Sequence, residues 1–104
     1  MPIKKKTLAS SRKATTGSHN PIKVGNPVLI RAVTMFYTGR IIEITPDALV
    51  LEDAAWIADT GRFSDALITG NLREVEPFAN PVAVVRGAIV DVTNWTKALP
   101  REKK

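Results

Sequence analysis

The chain has 104 residues, a mass of 11.3 kDa and a formal net charge of +5, a length that accommodates one small domain. Hydrophobic residues make up 44 % of it, which excludes a wholly disordered chain, and no apolar run approaches the ~20 residues of a membrane span. The lack of cysteine excludes disulfides, thiolate zinc sites and cysteine nucleophiles, and the one histidine, His19, stands in a polar stretch. We therefore expect a cytoplasmic protein that is not an enzyme, needs no metal or cofactor, and has no secretory signal or membrane partner.

Positive charge is concentrated at the two ends of the chain. Residues 1–23 contain six basic residues and no acidic one, whereas residues 24–100 contain six basic and nine acidic residues. We interpret 1–23 as a flexible basic arm and 101–104 as a short basic tail, which flank one folded domain over 24–100. The arm is expected either to contact nucleic acid or the surface of a larger protein assembly, or to serve only for solubility. Its candidate contact residues are Lys4, Lys5, Lys6, Arg12 and Lys13.

Short β-strands separated by tight turns are predicted from residue 27 onward. Alternation over 28–33 predicts a first strand near the surface of a barrel. The next strand, 35–44, contains Gly39, and a glycine inside a strand indicates a bend, a bulge or a close approach of two backbones. The sequence Thr45-Pro46-Asp47 is typical of a tight turn, and another strand is predicted directly after it, over 48–57.

The segment 58–80 interrupts the β pattern and is predicted to be an insertion. Apolar residues at i, i+3 and i+4 within it predict one or two turns of helix laid over the barrel. Asp59 or Thr60 is the expected N-cap of this helix, and Gly70 is its expected end. The residues on its apolar face are Phe63, Ala66 and Leu67.

The last strands follow the insertion. A short strand is indicated over 72–78, and the run 82–95 predicts two strands with a kink at Gly87. Taken together, the pattern predicts a mainly all-β fold: a small, strongly bent five-stranded barrel with one short helical insertion and a flexible basic N-terminal arm.

Two segments together resemble the Sm-like family, which includes the bacterial RNA chaperone Hfq. The first segment, TGRIIEITPDALVLEDA (38–54), resembles the first motif of that family, in which a glycine-containing strand leads through a tight turn to apolar residues and an acidic or amide pair. The second, VAVVRGAIVDV (82–92), resembles the second motif, in which one apolar strand runs into Arg-Gly, or Lys-His in Hfq, and then into another apolar strand. The resemblance implies an Sm-like barrel.

The resemblance also implies a binding site. In the family, the turn of the first motif and the Arg-Gly or Lys-His pair of the second line a ring pore and bind uridine-rich RNA. By position these residues are Thr45, Asp47, Arg86 and Gly87. The aromatic residue that stacks on a base in the family is missing from this turn, where Pro46 stands instead. Arg86 is expected to contact phosphate or to stack on a base, or else to form a salt bridge with a neighbouring acid.

Self-association is expected on two grounds. A body of about 80 residues has a small core, and an open barrel leaves strand edges that partners tend to cap. In Sm-like proteins such edges pair head to tail and close into homo-oligomeric rings, which would here gather several arms. The candidate interface residues are Val82, Val84, Val85, Ile89, Val90 and Val92.

The function implied by the resemblance is a homo-oligomeric ring that binds RNA or other single-stranded nucleic acid. Two alternatives stay open: a structural or scaffold ring, for example of phage or mobile-element origin, and a ring with a small-ligand pocket between subunits. The incomplete first turn and the acidic body favour the structural or scaffold ring. Each aromatic side chain is expected to pack in the core or an interface more often than to stack on a base.

Overall fold

A computed structural model of the protein describes residues 19–104. The described part is mainly β, with six strands, one α-helix and one turn of 3-10 helix. The elements, in chain order, are β1 Pro27–Ala32, β2 Phe36–Ile44, β3 Ala48–Asp59, α1 Phe63–Thr69, β4 Glu74–Pro77, β5 Val82–Val85, η1 Arg86–Ala88 and β6 Ile89–Asn94. Most of the predicted basic arm, including its five candidate contact residues, lies outside the described residues.

The strands form one antiparallel sheet in the order β4-β3-β2-β1-β6, and β5 pairs with β3. The prediction of five strands is wrong: there are six, because β3 is twelve residues long and pairs along its length with two short strands, β4 and β5. Its first half pairs with β5 and its second half with β4. The prediction of a barrel is also not met. Among the described residues no ladder joins β5 to β6, so the sheet remains open.

The connection between the two edges of the sheet makes it curl. Strands β5 and β6 lie at opposite edges of the sheet, yet only the three residues of η1 separate them along the chain. Three residues span at most about 10 Å. At η1 the Arg86 N–H donates to the Asp47 carbonyl (2.8 Å), and the Val33 N–H donates to the Ala88 carbonyl (2.9 Å). These bonds tie the turn to both sides of the sheet, and they take the place of a direct β5–β6 ladder.

Two apolar clusters lie on the two faces of the curled sheet. The concave-face cluster includes Val84 of β5, and Ile89 and Val92 of β6 pack against it. The convex-face cluster joins the sheet to α1 and to the segment after β6. Its buried members are Leu29, Ala55, Ile57, Ala66, Leu72, Val75, Trp95 and Leu99.

Strand β1 lies between these two clusters. Val28 and Ile30 belong to the concave-face cluster and Leu29 to the convex-face cluster, and all three are at most 1 % exposed. The prediction that this strand lies near a barrel surface is therefore wrong. The run Val28-Leu29-Ile30 is apolar at every position, as a strand covered on both faces requires.

Gly39 marks a close approach of β2 and β3, as predicted. It is buried at a register shift between Thr38 and Arg40. A Cβ atom placed on Gly39 would lie 2.9 Å from the Leu51 Cβ. On the facing strand, Asp53 has a φ of 49°, in the left-handed region. At this bulge Gly39 allows the two strands to approach closely, and Asp53 adopts the left-handed conformation, which aspartate tolerates better than most residues.

Helix α1 covers part of the convex face. Its buried residue is Ala66, and it ends at Gly70, which has a φ of 80° and whose N–H donates to the Ala66 carbonyl (2.8 Å). The predicted cap is wrong, because Arg62 holds the N-cap position without a side-chain bond. Asp59 instead shapes the preceding turn, where its Oδ1 accepts the Gly61 N–H (2.8 Å).

The last residues of the chain are docked on the sheet. Leu99 is buried in the convex-face cluster, and the Arg101 guanidinium lies 3.0 Å from the Asp53 carboxylate. Val75 of β4 and Lys104 exchange two backbone hydrogen bonds, both of 3.0 Å. The segment predicted as a basic tail therefore runs beside the outer edge of β4.

Candidate nucleic-acid interface

The turn between β2 and β3 is closed by its own threonine. The Thr45 Oγ1 accepts hydrogen bonds from the N–H groups of Ala48 (2.9 Å) and Asp47 (3.2 Å). The Thr45 N–H donates to the Ala48 carbonyl (3.0 Å). A hydroxyl that accepts backbone N–H groups two and three residues onward is a standard way to hold a tight turn. The predicted turn over 45–47 is confirmed.

Arg86 lies against this turn. Its backbone N–H donates to the Asp47 carbonyl (2.8 Å), and its side-chain Nε donates to the Thr45 carbonyl (2.9 Å). The two segments that carry the resemblance to the Sm-like motifs therefore meet in space, although 41 residues separate Thr45 from Arg86. The contact fixes the direction of the guanidinium group relative to the β2–β3 turn.

The outer nitrogens of Arg86 remain available to a ligand. Among residues 19–104 no carboxylate forms an ion pair with Arg86, so the expected alternative of a salt bridge is wrong for this part of the chain. The side chain is exposed. Gly87 is exposed as well, and no atom lies within 4 Å of a Cβ built on it. An oriented guanidinium beside open space can contact a phosphate or the face of a base.

The charge of the described part is balanced. Residues 19–104 contain ten basic and ten acidic residues, so the net charge of +5 derives from residues 1–18. Several of the cations are compensated, as in the Arg31–Asp91 pair (2.6 Å) and the contact of Arg40 with Asp53 (3.3 Å). The net charge of the sheet therefore offers a polyanion no general attraction, and any attraction would have to come from local groups such as Arg86.

The two edges of the sheet nearest to η1 are unpaired within the described chain. Among the strands of residues 19–104, β5 pairs with β3 alone and β6 pairs with β1 alone. Of the candidate interface residues, Val85 and Val90 are 60 % and 55 % exposed. Val84 is buried in the concave-face cluster, and the side chains that pack against that cluster are Val82, Ile89 and Val92. The candidate interface thus consists of two exposed valines and two rows of free backbone groups.

No family model, curated protein or solved structure matches the chain. Among residues 19–104 there is no group of three or more side chains suited to hold a metal ion. Within the same range, no helix is both long and apolar enough to cross a membrane.

Two aromatic pairs were not expected from the sequence. The rings of Tyr37 and Phe78 are stacked with centroids 6.2 Å apart, and those of Phe36 and Phe63 are tilted at 5.7 Å. Phe36 packs against the convex-face cluster and Tyr37 against the concave-face cluster. The partners come from distant parts of the chain, so only the tertiary fold brings them together.

Proposed function

We propose that the protein is a non-enzymatic, Sm-like homo-oligomer that pairs head to tail through β5 and β6 and binds single-stranded RNA or other single-stranded nucleic acid. The observation that carries this proposal is the contact of Arg86 with the β2–β3 turn. The Nε–H···O bond to Thr45, 2.9 Å long, holds the guanidinium at an exposed position while its outer nitrogens have no carboxylate partner among the described residues.

The chemistry of this contact suits a nucleic-acid chain. A guanidinium group can donate two parallel hydrogen bonds to a phosphate, and its plane can stack on a base. A ring repeats the same group once per subunit, and contacts that are weak individually become strong when one strand engages several of them.

The position of the free edges supports cyclic assembly. Unpaired strand edges are templates for pairing with another chain. Because β5 and β6 lie at opposite edges of one sheet, β5 of one copy can pair with β6 of the next. Repetition of this heterologous contact closes a ring when the rotation between neighbouring copies permits it. Val85 and Val90, one on each edge, would lose their exposure in such a contact.

The test combines the mass of the purified protein with its RNA affinity. We expect an oligomer by light scattering, and gel-shift binding of single-stranded RNA that weakens steeply as salt rises. The substitution Arg86→Gln should leave the oligomer intact and lower the slope of log affinity against log salt by about 0.7 for each Arg86 that contacts a phosphate. Arg62→Gln, which removes the same charge from the residue before α1, is the matched control and should leave the slope unchanged.

Two results would overturn the proposal. A monomer at micromolar concentration would exclude ring assembly. Equal effects of Arg86→Gln and Arg62→Gln on RNA affinity would mean that Arg86 is not a specific contact site for RNA.

A scaffold ring without nucleic acid is the second candidate. The observation that favours it is the charge balance of residues 19–104, whose ten cations are matched by ten acids. It predicts a stable oligomer that purifies with the absorbance ratio of pure protein. It also predicts no salt-dependent binding of RNA.

A further inference from the structure

A second candidate site lies on the convex face, at the end of β1 that is followed by the hydrogen bond from Val33 to η1. It is a cavity of about 350 Å³ lined by Arg31, Phe36, Phe63 and Asp91. The strand register sets three of these residues in a row, because Arg31 of β1 is paired with Phe36 on one side and with Asp91 on the other. Phe63, the first residue of α1, adds the fourth wall.

One side of the cavity is aromatic. The rings of Phe36 and Phe63 have centroids 5.7 Å apart and an angle of 37° between their planes. At this distance the rings pack on each other and leave no gap for a third ring between them. Phe63 is 42 % exposed, so its outer surface is open to the cavity and can support a planar apolar group.

The other side is polar and neutral. The Nε and Nη2 atoms of Arg31 both donate to the same oxygen of Asp91, Oδ2, at 3.0 and 2.6 Å. Residues 19–104 donate no further hydrogen bond to the Asp91 carboxylate, so its Oδ1 atom is open to a donor from a ligand. Each of the two side chains is 51 % exposed. The pair thus presents a free acceptor next to guanidinium donors while its charges cancel.

This combination selects the chemistry of a ligand. An isolated phosphate gains little here, because Asp91 already compensates the charge of Arg31, and a cation gains little for the reciprocal reason. A neutral, planar ring with a donor beside an acceptor on its edge satisfies both sides of the cavity. The edge of a nucleobase has this pattern, and bases in single strands are commonly held by aromatic or guanidinium stacking together with edge hydrogen bonds.

We propose that the cavity binds one nucleobase, which stacks on Phe63 and hydrogen-bonds to the Arg31–Asp91 pair. As a site for a base of single-stranded nucleic acid, the inference rests on the proposed function. The position supports the link: the Val33 N–H donates to the Ala88 carbonyl of η1 (2.9 Å), and Arg31 precedes Val33 by two residues. Arg86 would then position the backbone of the strand, while the cavity contacts a base.

The first experiment tests the cavity without any phosphate. The full chain is titrated with adenosine, cytidine, guanosine and uridine in the millimolar range and followed by nuclear magnetic resonance. We expect at least one nucleoside to shift the ring protons of Phe63 and the Nε–H of Arg31. Phe63→Ala should abolish the Arg31 shift, whereas Ile68→Ala, at another exposed apolar residue of α1, should preserve it. Absence of these shifts with all four nucleosides would refute the inference.

The second experiment separates the inference from the proposed function. Affinities of wild type and variants are measured for four single-stranded RNA homopolymers at fixed salt. Asp91→Asn should change the order of preference among the homopolymers, because it alters a base contact, whereas Arg86→Gln should weaken all four alike. Asp65→Asn, at an exposed acid on α1, is the control of equal charge change.

The outcomes differ for the two ideas. If the wild type binds RNA but Asp91→Asn keeps the order of preference, the cavity does not contact a base and only the inference fails. If nucleosides shift Phe63 while no homopolymer binds, the proposed function fails and the cavity is a site for free nucleosides or nucleobases.

Discussion

Gly39 offers a direct test of how β2 and β3 pack, because one added methyl group has nowhere to go. An ideal Cβ at this position lies 2.9 Å from the Leu51 Cβ, 3.1 Å from the Leu51 Cδ1 and 3.2 Å from the Ala54 Cβ. The favourable separation between carbon atoms is about 3.5–4.0 Å. Leu51 and Ala54 are 0 % and 2 % exposed. Neither can swing into solvent, so the strands themselves would have to separate.

The expected cost follows from two opposing terms. Overpacking of a core by a methyl group costs about 1–3 kcal/mol. Gly39 does not have a positive φ, so alanine adopts its backbone without strain and recovers about 0.4–1 kcal/mol through the reduced entropy of the unfolded chain. We therefore expect Gly39→Ala to lower the free energy of unfolding by about 1–2 kcal/mol. For a domain of this size that corresponds to a fall in Tm of roughly 5–15 °C.

The assay is urea unfolding followed by tryptophan fluorescence at one fixed protein concentration, because the proposed assembly would make the midpoint depend on concentration. Gly87→Ala is the matched control. A Cβ at Gly87 meets no atom within 4 Å and its φ is not positive, so its midpoint should stay equal to or slightly above that of the wild type. If Gly39→Ala is as stable as Gly87→Ala, glycine is not required there by the approach of β2 to β3.

Three further substitutions test other parts of the structure. Asp53→Asn keeps a residue that tolerates φ of 49° but removes the ion pairs with Arg40 and Arg101, so it should cost less than about 1 kcal/mol in urea unfolding, and less still at high salt. Leu99→Ala empties part of the convex-face cluster and should lower the free energy of unfolding by about 2–4 kcal/mol; a loss below 0.5 kcal/mol would mean that the docked C-terminal segment contributes little. Thr38→Val replaces a fully buried hydroxyl, which has no hydrogen-bond partner among residues 19–104, by a methyl group, so it should raise Tm, and a lower Tm would show that the hydroxyl is bonded in solution.

Local sequence features predicted those parts of the fold that depend on neighbours in the chain. Gly39 indicated a bulge or close approach, because a glycine inside a strand marks a position where a side chain would not fit. The threonine at 45 and the proline after it indicated the β2–β3 turn. The kink at Gly87 between two apolar runs corresponds to η1 between β5 and β6.

Features that depend on register were not predictable in this way. The full length of β3 could not be predicted, because it depends on pairing with both β4 and β5. The burial of β1 on both faces could not be predicted either, because the sequence of a strand does not show what packs against each face. The Arg31–Asp91 pair joins residues 60 positions apart, and Phe36 meets Phe63 only because α1 begins over β2. The meeting of Arg86 with Thr45 was expected from the resemblance alone.

The docking of the chain end on β4 limits how many neighbours one copy can have. The backbone N–H and C=O of Val75 are both taken by Lys104, and Pro77, at the end of the same strand, has no N–H to offer. Within the described chain this leaves β5 and β6 as the open edges, so in the proposed assembly each copy would pair its strands with two neighbours. Units of valency two grow in one dimension and end as a closed circle or a fibre. A branched assembly would need a third strand edge for pairing, and the hydrogen bonds between Val75 and Lys104 occupy the edge of β4.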